Sequence, residues 1–461
     1  MAMPKPAALL TALIVAAAVT IYFVPPPAGV ASNVMHTGAL LVLVMGLWAI
    51  GTLPEYFVAL IFFALAVLLQ VATPAVIFSG FASGTLWLVL GGLVIAEAVR
   101  STGLGERIAR IALGTQTLTY RQLVTAAVLV SLVLAFLMPA TVARILLLVP
   151  IMAAVAERHG LALRSTGYTG VMLATILATF QCGTAILPAN APNLVLAGAA
   201  ETLYGVQLIY AEYLWAQFPV MGLVKGWLII VVICRLCPAE TQTATAAAAL
   251  PPMSAEEKRL AVIVFASLAL WATDFLHGIR PGWIALAAAV VAMLPRVGAV
   301  PVTMFQQRVR FGTFFYIGGI LGLGAVMIET GLSVAIGNAV LSLFRLEPGA
   351  DGANFAVLSL MSTFAGLITT NPSQPALMAP LAGHFAEAAG WPLKTALMTL
   401  AVGFSTVILP YQVPPVVVGL QVAHLSVQTA LRVTVPLALV SIAGLIPLNY
   451  FWWKLIGYFG N

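Results

Sequence analysis

Two carboxamide side chains lie beside prolines in the middle of long apolar runs of this sequence. ILPANAPN at 186–193 and ILPYQVPP at 408–415 both place a proline third, an amide fifth (Asn190 or Gln412) and a proline seventh. A proline inside a helix removes one backbone donor and frees a carbonyl about one turn away. In a membrane, freed carbonyls can hold a cation, and a restarted helix presents a partly positive N-terminus to an anion. One such break could simply kink a packed helix, but a matched pair favours a shared site for a charged solute.

The composition requires that most of the chain lie in lipid. Of 461 residues, 62% are hydrophobic and 7% are charged, against about 45–50% and about 25% in soluble domains. The sequence therefore predicts an all-α polytopic membrane protein, and its net charge of +6 indicates orientation in the membrane rather than a nucleic-acid surface. Eleven transmembrane helices are predicted, near 7–25, 36–52, 55–72, 84–100, 166–187, 209–234, 258–275, 281–296, 312–329, 393–409 and 428–450.

Two further apolar stretches, about 122–157 and 353–390, have polar or proline-bearing middles, MPATVAR and TTNPSQP. Each is predicted to form a re-entrant hairpin, whose two short helices enter and leave the membrane on the same side. With the N-terminus in the cytoplasm and no net crossing by the hairpins, fourteen lysines and arginines fall inside and four outside. This matches the positive-inside bias, and it places the C-terminus outside.

The order of elements repeats on either side of one polar linker. Residues 1–30 are predicted to form a first transmembrane helix, and 31–236 a first repeat with its hairpin and a broken helix at about 166–201. A cytoplasmic linker at 237–257 leads to a second repeat at 258–461, whose broken helix lies at about 393–422. An odd number of crossings separates equivalent elements, so the second repeat is inverted. Inverted repeats with paired broken helices indicate a secondary transporter.

These features resemble the divalent anion/sodium symporter family over nearly the whole chain. The family's hairpin tips match Ala140-Thr141-Val142 and Thr370-Asn371-Pro372, and its helix breaks match Ala191-Pro192-Asn193 and Pro414-Pro415-Val416. The first tip, within PATVAR, is similar to that of the citrate/succinate and plastid dicarboxylate exchangers of the family. The resemblance implies transport of di- or tricarboxylates or sulfate, a homodimer, and a transport domain that moves past a scaffold in an elevator mechanism.

The resemblance also carries a set of expected site residues. Sodium sites in the family lie near the positions of Thr141 and Asn190 and of Thr370, Asn371 and Gln412. The expected substrate-binding residues are Ala140, Thr141, Val142, Arg144, Asn190, Pro192, Asn193, Thr370, Asn371, Pro372, Gln412, Pro414 and Pro415.

Two basic residues fall inside the predicted membrane zone. Arg144 follows the first tip by one turn and could bind a carboxylate, take the electrostatic place of a sodium ion, or hold the tip in shape. Lys225 lies mid-helix with apolar residues on both sides. It could be an intramembrane counter-charge, a proton carrier, or a packed lysine paired with carbonyls.

The first tip departs from the polar Ser-Asn-Thr of the sodium-coupled members, because Ala140 and Val142 replace two of its polar residues. This departure favours exchange or proton coupling over sodium coupling, with Na⁺ or H⁺ the only coupling ions in question and no other cofactor expected. The alternatives are a sulfate-like inorganic anion carrier, a cation/proton antiporter of the same superfamily, or an anion channel. An enzyme is not expected, because HExxH and paired intramembrane aspartates are absent from the sequence. A bacterial inner membrane is the expected location.

Overall fold

The computed structural model describes residues 5–27, 30–114, 117–243 and 250–460. Within these ranges the regular structure is entirely helical, with α-helices interrupted by short 3₁₀ and π segments. The predicted all-α class is therefore confirmed. Residues 244–249 of the predicted linker and residues 1–4, 28 and 29 of the predicted first helix lie outside the described ranges.

The first half of the chain folds into twelve α-helices within the described ranges. In chain order they are α1 Lys5–Phe23, α2 Ser32–Ile50, α3 Glu55–Leu68, α4 Pro74–Ile77, α5 Gly84–Thr102, α6 Leu104–Leu113, α7 Tyr120–Leu137, α8 Thr141–Arg158, α9 Thr166–Gln181, α10 Ala191–Tyr204, α11 Tyr210–Gln217 and α12 Lys225–Leu236.

The second half folds into thirteen. They are α13 Ala255–Ala272, α14 Asp274–His277, α15 Pro281–Met293, α16 Thr303–Arg308, α17 Gly312–Glu329, α18 Leu332–Leu343, α19 Asp351–Ile368, α20 Ser373–Met378, α21 Ala382–Ala389, α22 Leu393–Phe404, α23 Pro414–Val422, α24 Val427–Val440 and α25 Ile446–Leu455.

Seven helical stretches of the described chain are long and apolar enough to cross a membrane, and five shorter apolar helices accompany them. Two of the seven, α7 and α19, belong to the predicted hairpins. A π segment, Phe218–Val224, joins α11 to α12 in one continuous 27-residue stretch. The predicted count of eleven crossings stays a prediction, since length and composition do not distinguish a crossing from one arm of a hairpin.

Each predicted hairpin is a pair of helices joined by a short non-helical tip. In the first, a capping box between Thr119 and Gln122 starts α7, which satisfies two backbone donors that a helix start otherwise leaves free. Extended backbone at Met138 and Ala140 separates α7 from α8. The second tip, residues 369–372, separates α19 from α20 in the same way.

Each predicted broken helix is interrupted as the prolines suggest. The first break, residues 182–190, lies between α9 and α10, and the second break, residues 405–413, between α22 and α23. Pro192 lies in the first turn of α10, and Pro414 and Pro415 lie in the first turn of α23. A helix tolerates proline in its first turn because that backbone donor has no partner within the helix. The prolines therefore restart each helix rather than kink it.

Glycines bring α5 and α15 into close backbone contact. A Cβ at Gly91 would lie 2.5 Å from the Ala285 carbonyl carbon, and one at Gly282 would lie 1.9 Å from the Gly84 oxygen. Such distances exclude any larger residue unless the backbone moves. Small residues are the usual means by which membrane helices approach closely, so α5 and α15 form one tightly packed unit.

The Glu201 carboxylate joins α10 to this unit. It accepts hydrogen bonds from the Ser83 hydroxyl at 2.7 Å, the Gly84 amide at 3.1 Å and the Thr85 amide at 3.2 Å. It also forms an ion pair with Arg280, at 2.6 Å, just before α15 begins. A carboxylate at a helix N-terminus satisfies free backbone donors and faces the positive end of the helix dipole. One side chain thus ties α10 to the starts of both α5 and α15.

Replacing Glu201 with glutamine is expected to lower stability by about 2–3 kcal/mol, because charged hydrogen bonds to a partly buried group are lost. The measurement is the thermal unfolding midpoint in detergent. Glu329→Gln, an exposed glutamate at the end of α17, is the matched control and should change stability by less than about 0.5 kcal/mol. Equal midpoints for the two variants would show that the Glu201 network does not stabilise the fold.

Candidate functional site

One cavity of about 1480 Å³ is lined by residues of both hairpin tips and by the first turns of α10 and α23, which follow the two breaks. It receives contributions from both halves of the chain. Of the thirteen residues expected at the site, seven line this cavity: Ala140, Thr141, Val142, Pro192, Pro372, Pro414 and Pro415.

The other six expected residues lie behind the cavity wall, and most of their polar atoms face backbone groups. Arg144 is fully buried. Its Nη1 donates to the Met138 carbonyl at 2.6 Å and the Ala189 carbonyl at 3.0 Å, and its Nη2 donates to the Thr179 carbonyl at 3.0 Å. The guanidinium therefore joins the first tip, the end of α9 and the first break, with no carboxylate partner among the described residues.

Asn190 and Asn193 hold the first break in shape. The Asn190 amide donates to the Phe180 carbonyl at 2.8 Å, while its oxygen accepts from Arg144 at 3.3 Å and from the Thr141 hydroxyl. The Asn193 amide donates to two carbonyls inside the break, those of Ile186 at 2.8 Å and Thr184 at 3.1 Å. Both side chains thus supply donors to carbonyls that the interrupted helix leaves free.

The second tip and second break are joined in a matching way. The Asn371 amide donates to the Phe404 carbonyl, at the end of α22, at 2.7 Å. The Asn371 backbone N–H donates to the Gln412 carbonyl at 2.8 Å, and the Gln412 side-chain oxygen accepts from the Ile408 and Leu409 amides at 2.8 and 2.7 Å. The Thr370 hydroxyl pairs with Ser373 at 3.0 Å instead. Asn371 therefore holds the tip against the break.

Lys225 reaches the second break from the other half of the chain. Its Nζ lies 2.6 Å from the Ser405 carbonyl and 3.1 Å from the Ser405 hydroxyl, and the residue is fully buried. It follows directly on the π segment that interrupts its own helix. Such π segments occur often at functional sites. Lys225 therefore belongs to the second break, as Arg144 belongs to the first.

The two breaks share one electrostatic arrangement. At the end of α9 an amide and a cation cap the carbonyls of Phe180 and Thr179, and at the end of α22 an amide and a cation cap those of Phe404 and Ser405. The carbonyl ends of both half-helices, which carry partial negative charge, are thus neutralised from within the protein.

The opposite helix ends face the cavity. Residues in the first turns of α8, α10 and α23 line it. Helix N-termini carry partial positive charge, so they attract anions. The first turn of α8 also presents backbone N–H groups, whereas Pro192 in α10 and Pro414 and Pro415 in α23 have none. The site is therefore suited chemically to an anion in the cavity, with cations held in the wall behind it.

The structure does not leave the first expected sodium site open to an ion. The oxygens of Thr141 and Asn190, which would coordinate the metal, accept from Arg144 at 3.4 and 3.3 Å. The residues there fit a fixed guanidinium instead. Within the described ranges, no three His, Cys, Asp or Glu side chains come together to hold a metal ion.

Two contributors to the site were not foreseen. Ser405 acts mainly through its backbone carbonyl, which no sequence motif marks. Tyr316 of α17 lines the cavity, and its hydroxyl pairs with the Ser373 hydroxyl at 3.0 Å. A lone tyrosine in an apolar run could have drawn notice, but nothing in its spacing relates it to a residue 57 positions away.

Comparison with known proteins identifies relatives along nearly the whole chain. Residues 6–459 match the profile described as the sodium:sulfate symporter transmembrane region. A membrane protein of Cupriavidus necator is 27% identical over 394 residues, covering 82% of this chain and 76% of its own. The L-tartrate/succinate antiporter of Escherichia coli K12 is 24% identical over 358 residues, covering 73% of this chain and 72% of the antiporter. Among solved structures, the Alcanivorax borkumensis YdaH transporter is similar in fold, with a TM-score of 0.56 at 15% identity, covering 83% of this chain and 88% of that chain.

Replacing Asn193 with leucine is expected to destabilise the protein by about 2–4 kcal/mol, because carbonyls inside the first break would lose their donor at membrane depth. Thermal unfolding in detergent measures the effect. Asn338→Leu, at an exposed position of α18, is the control for the same change in side-chain chemistry. If both variants unfold at the same temperature, the Asn193 amide does not hold the break.

Proposed function

The chain belongs to the sodium:sulfate symporter family of membrane transporters, and we propose that it exchanges small organic anions, most of all di- or tricarboxylates, across the membrane without sodium. The membership confirms the resemblance to divalent anion/sodium symporters, and it confirms that the chain is a transporter and not an enzyme. The substrate class, the coupling and the roles of individual residues are the proposal.

The observation that carries the proposal is the sign of the charge in and behind the cavity wall. Three helix N-terminal turns line the cavity, and the fully buried cations Arg144 and Lys225 lie at the breaks behind it. In a low-dielectric surrounding, such fixed charges and dipoles act strongly on a bound ion. A cation would be repelled from this wall, so an anionic substrate fits and a cation/proton antiporter does not.

A dicarboxylate is favoured over an inorganic anion by the chemistry of the relatives. One relative is an L-tartrate/succinate antiporter, whose substrates carry two carboxylates on a short carbon chain. The cavity wall combines polar Thr141 with apolar Val142, Pro192 and Pro414, which suits an anion with a carbon skeleton. Sulfate is the second candidate, since the matching family profile is described as the sodium:sulfate symporter transmembrane region.

Exchange without sodium is favoured by the two buried cations. The Arg144 guanidinium binds the oxygens where the first coupling ion was expected, and the Lys225 amine binds the Ser405 carbonyl at the second break. Arg144 and Lys225 stay in the protein when the substrate leaves. The substrate-free carrier therefore keeps their positive charge without the anion that balanced it. We expect the empty form to cross slowly and the loaded form to cross rapidly, which makes exchange obligatory.

The remaining architecture is proposed on the same basis. The hairpins are taken as re-entrant and the two halves as inverted repeats, with the tips and breaks carried by a domain that moves past a scaffold containing α5, α15 and α17. The protein is proposed to be a homodimer in a bacterial inner membrane, with its N-terminus in the cytoplasm and its C-terminus outside.

The first test is uptake of labelled succinate into proteoliposomes, either empty or preloaded with unlabelled succinate, in sodium or in choline. We expect uptake only into preloaded vesicles and at equal rates in the two salts. Vesicles without protein and labelled sulfate serve as controls for leakage and for the second candidate.

Each other outcome contradicts a defined part of the proposal. Sodium-driven uptake into empty vesicles would show that the altered tips still bind a coupling cation. Uptake into empty vesicles driven by a pH gradient would show proton coupling. Uptake of sulfate without succinate would replace the substrate class, and rapid flux without countertransport would indicate a channel.

A second test separates charge from shape at Arg144. Arg144→Gln is expected to lower exchange by about 100-fold or more, in line with the roughly 2–5 kcal/mol lost when a buried charge partner is removed. Arg144→Lys keeps the charge but not the planar fork, so it should retain more exchange than glutamine. Lys225→Arg and Lys225→Gln make the same comparison at the second break.

Initial exchange rates, normalised to folded protein by gel filtration, provide the measurement. If Arg144→Lys and Arg144→Gln lose exchange equally while remaining folded, the guanidinium acts by its shape, and the fixed-charge account of the first break is wrong.

A further inference from the structure

The cavity lining also contains charged residues outside the tips, and one of them is far from the first tip. Arg158 is the last residue of α8, whose first residue, Thr141, lies at the first tip. At a rise of about 1.5 Å per residue, seventeen residues of helix place Arg158 about 25 Å from the tip. Both ends of α8 nevertheless line the same cavity. We call the part of the cavity lined by Arg158, Arg308 and Arg310 the vestibule.

Positive charge exceeds negative charge along the cavity. Its lining contains five arginines and three glutamates, and it contains no lysine or aspartate. The ion pairs do not compensate this excess of positive charge. Glu97 pairs with two arginines, Arg100 at 2.5 Å and Arg308 at 3.6 Å. The third pair joins Arg110 to Glu106 at 2.6 Å.

Two arginines of the vestibule have no acidic partner within the described ranges. Arg310 is exposed and forms no ion pair there. Arg158 is only partly exposed, and its Nε is buried without a hydrogen-bond partner. A buried donor without a partner is uncommon and costs free energy. Among the described residues, the partly exposed Arg158 guanidinium is thus not held by an acidic side chain.

We infer that the vestibule attracts anions, so that Arg158 and Arg310 raise the local concentration of a small dianion, such as a dicarboxylate, before it reaches the tips. The identity of the substrate in this inference rests on the proposed function. The positive charge of the vestibule does not depend on it. A cleft of one sign with low-dielectric walls concentrates counter-ions and speeds their entry. Guanidinium groups are suited to this task because they bind carboxylates with two parallel hydrogen bonds.

Orientation in the membrane is the competing explanation for these arginines. Positive charge on the cytoplasmic side is expected for any membrane protein, and it requires only that the charges lie on that side. Capture requires in addition that they act inside the cavity. Arg121 and Arg235 are exposed, lie outside the cavity lining and are predicted to be cytoplasmic as well. They provide a control pair with the same total charge.

The test measures the electrostatic potential in the cavity without using transport. Cys182, Cys234 and Cys237 are replaced by serine, and Ala154→Cys places a thiol on α8 in the cavity lining, one turn or about 6 Å before Arg158. Its rates of modification by an anionic sulfonatoethyl and a cationic trimethylammonioethyl methanethiosulfonate are compared in nanodiscs of neutral phosphatidylcholine. The neutral lipid removes any contribution from anionic headgroups.

Arg158→Gln together with Arg310→Gln is expected to lower the anionic-to-cationic rate ratio by about tenfold at low salt. The change should shrink as salt is raised, because the Debye length falls from about 30 Å at 0.01 M to about 10 Å at 0.1 M. Val142→Cys, at the far end of α8, should report a smaller change. Arg121→Gln together with Arg235→Gln should leave the ratio at Ala154→Cys unchanged.

Succinate uptake then connects the potential to capture. If the Arg158/Arg310 pair captures substrate, its removal lowers kcat/KM by about tenfold at low salt and much less at high salt. An equal rate ratio in the Arg158/Arg310 and Arg121/Arg235 variants would overturn the inference and leave these arginines a role in orientation alone. If the modification-rate ratio changes but the protein transports no succinate, the vestibule is positively charged as inferred and the proposed substrate is wrong.

Discussion

Backbone carbonyls that lose their helical partners at membrane depth are the constraint on which the rest of this structure depends. Each unpaired group costs several kcal/mol in hydrocarbon, and two interrupted helices create many of them. The chain meets this constraint twice with the same chemistry. Asn190 and Asn371 donate to the last carbonyls of α9 and α22, and Arg144 and Lys225 supply a cation beside them.

This solution divides the electrostatics of the site into two layers. The negative helix ends face inward and are covered by fixed cations, whereas the positive helix ends face the cavity. At the first break, the oxygens of Thr141 and Asn190 accept hydrogen bonds from the Arg144 guanidinium. A permanent cation and a mobile coupling ion are alternative means of balancing the charge of a bound dianion. The choice between them separates an exchanger from a symporter.

The parts of the molecule outside the site are held together by different means. Glycines allow α5 and α15 to meet along their backbones, and Glu201 connects both helix starts to α10. At the cavity, α17 meets the start of α20 through a polar pair, the hydroxyls of Tyr316 and Ser373. Glu201 therefore joins α10, whose first turn lines the cavity, to the unit formed by α5 and α15.

The sequence alone determined the features that depend on local chemistry. Hydropathy required a helical membrane protein, and prolines marked the helix restarts at Pro192 and Pro414. The polar middles of two apolar stretches marked the tips. The helical class and the positions of these interruptions could be predicted because span length, proline geometry and the cost of burying charge act within a few residues of the chain. The re-entrant course of the hairpins stays a prediction. The resemblance to a transporter family depended on the same local motifs.

Only the tertiary structure decided which hydrogen-bond donor pairs with which acceptor. Lys225 binds a carbonyl 180 residues away, and the Asn193 amide donates to carbonyls of its own break. Spacing could place Arg144 near the first tip, but not show that its guanidinium joins the tip to the end of α9 and the first break. A sequence records where donors and acceptors are created, whereas their pairing depends on helices that meet in space. That is why the elements of the site could be predicted and the division between cavity lining and supporting wall could not.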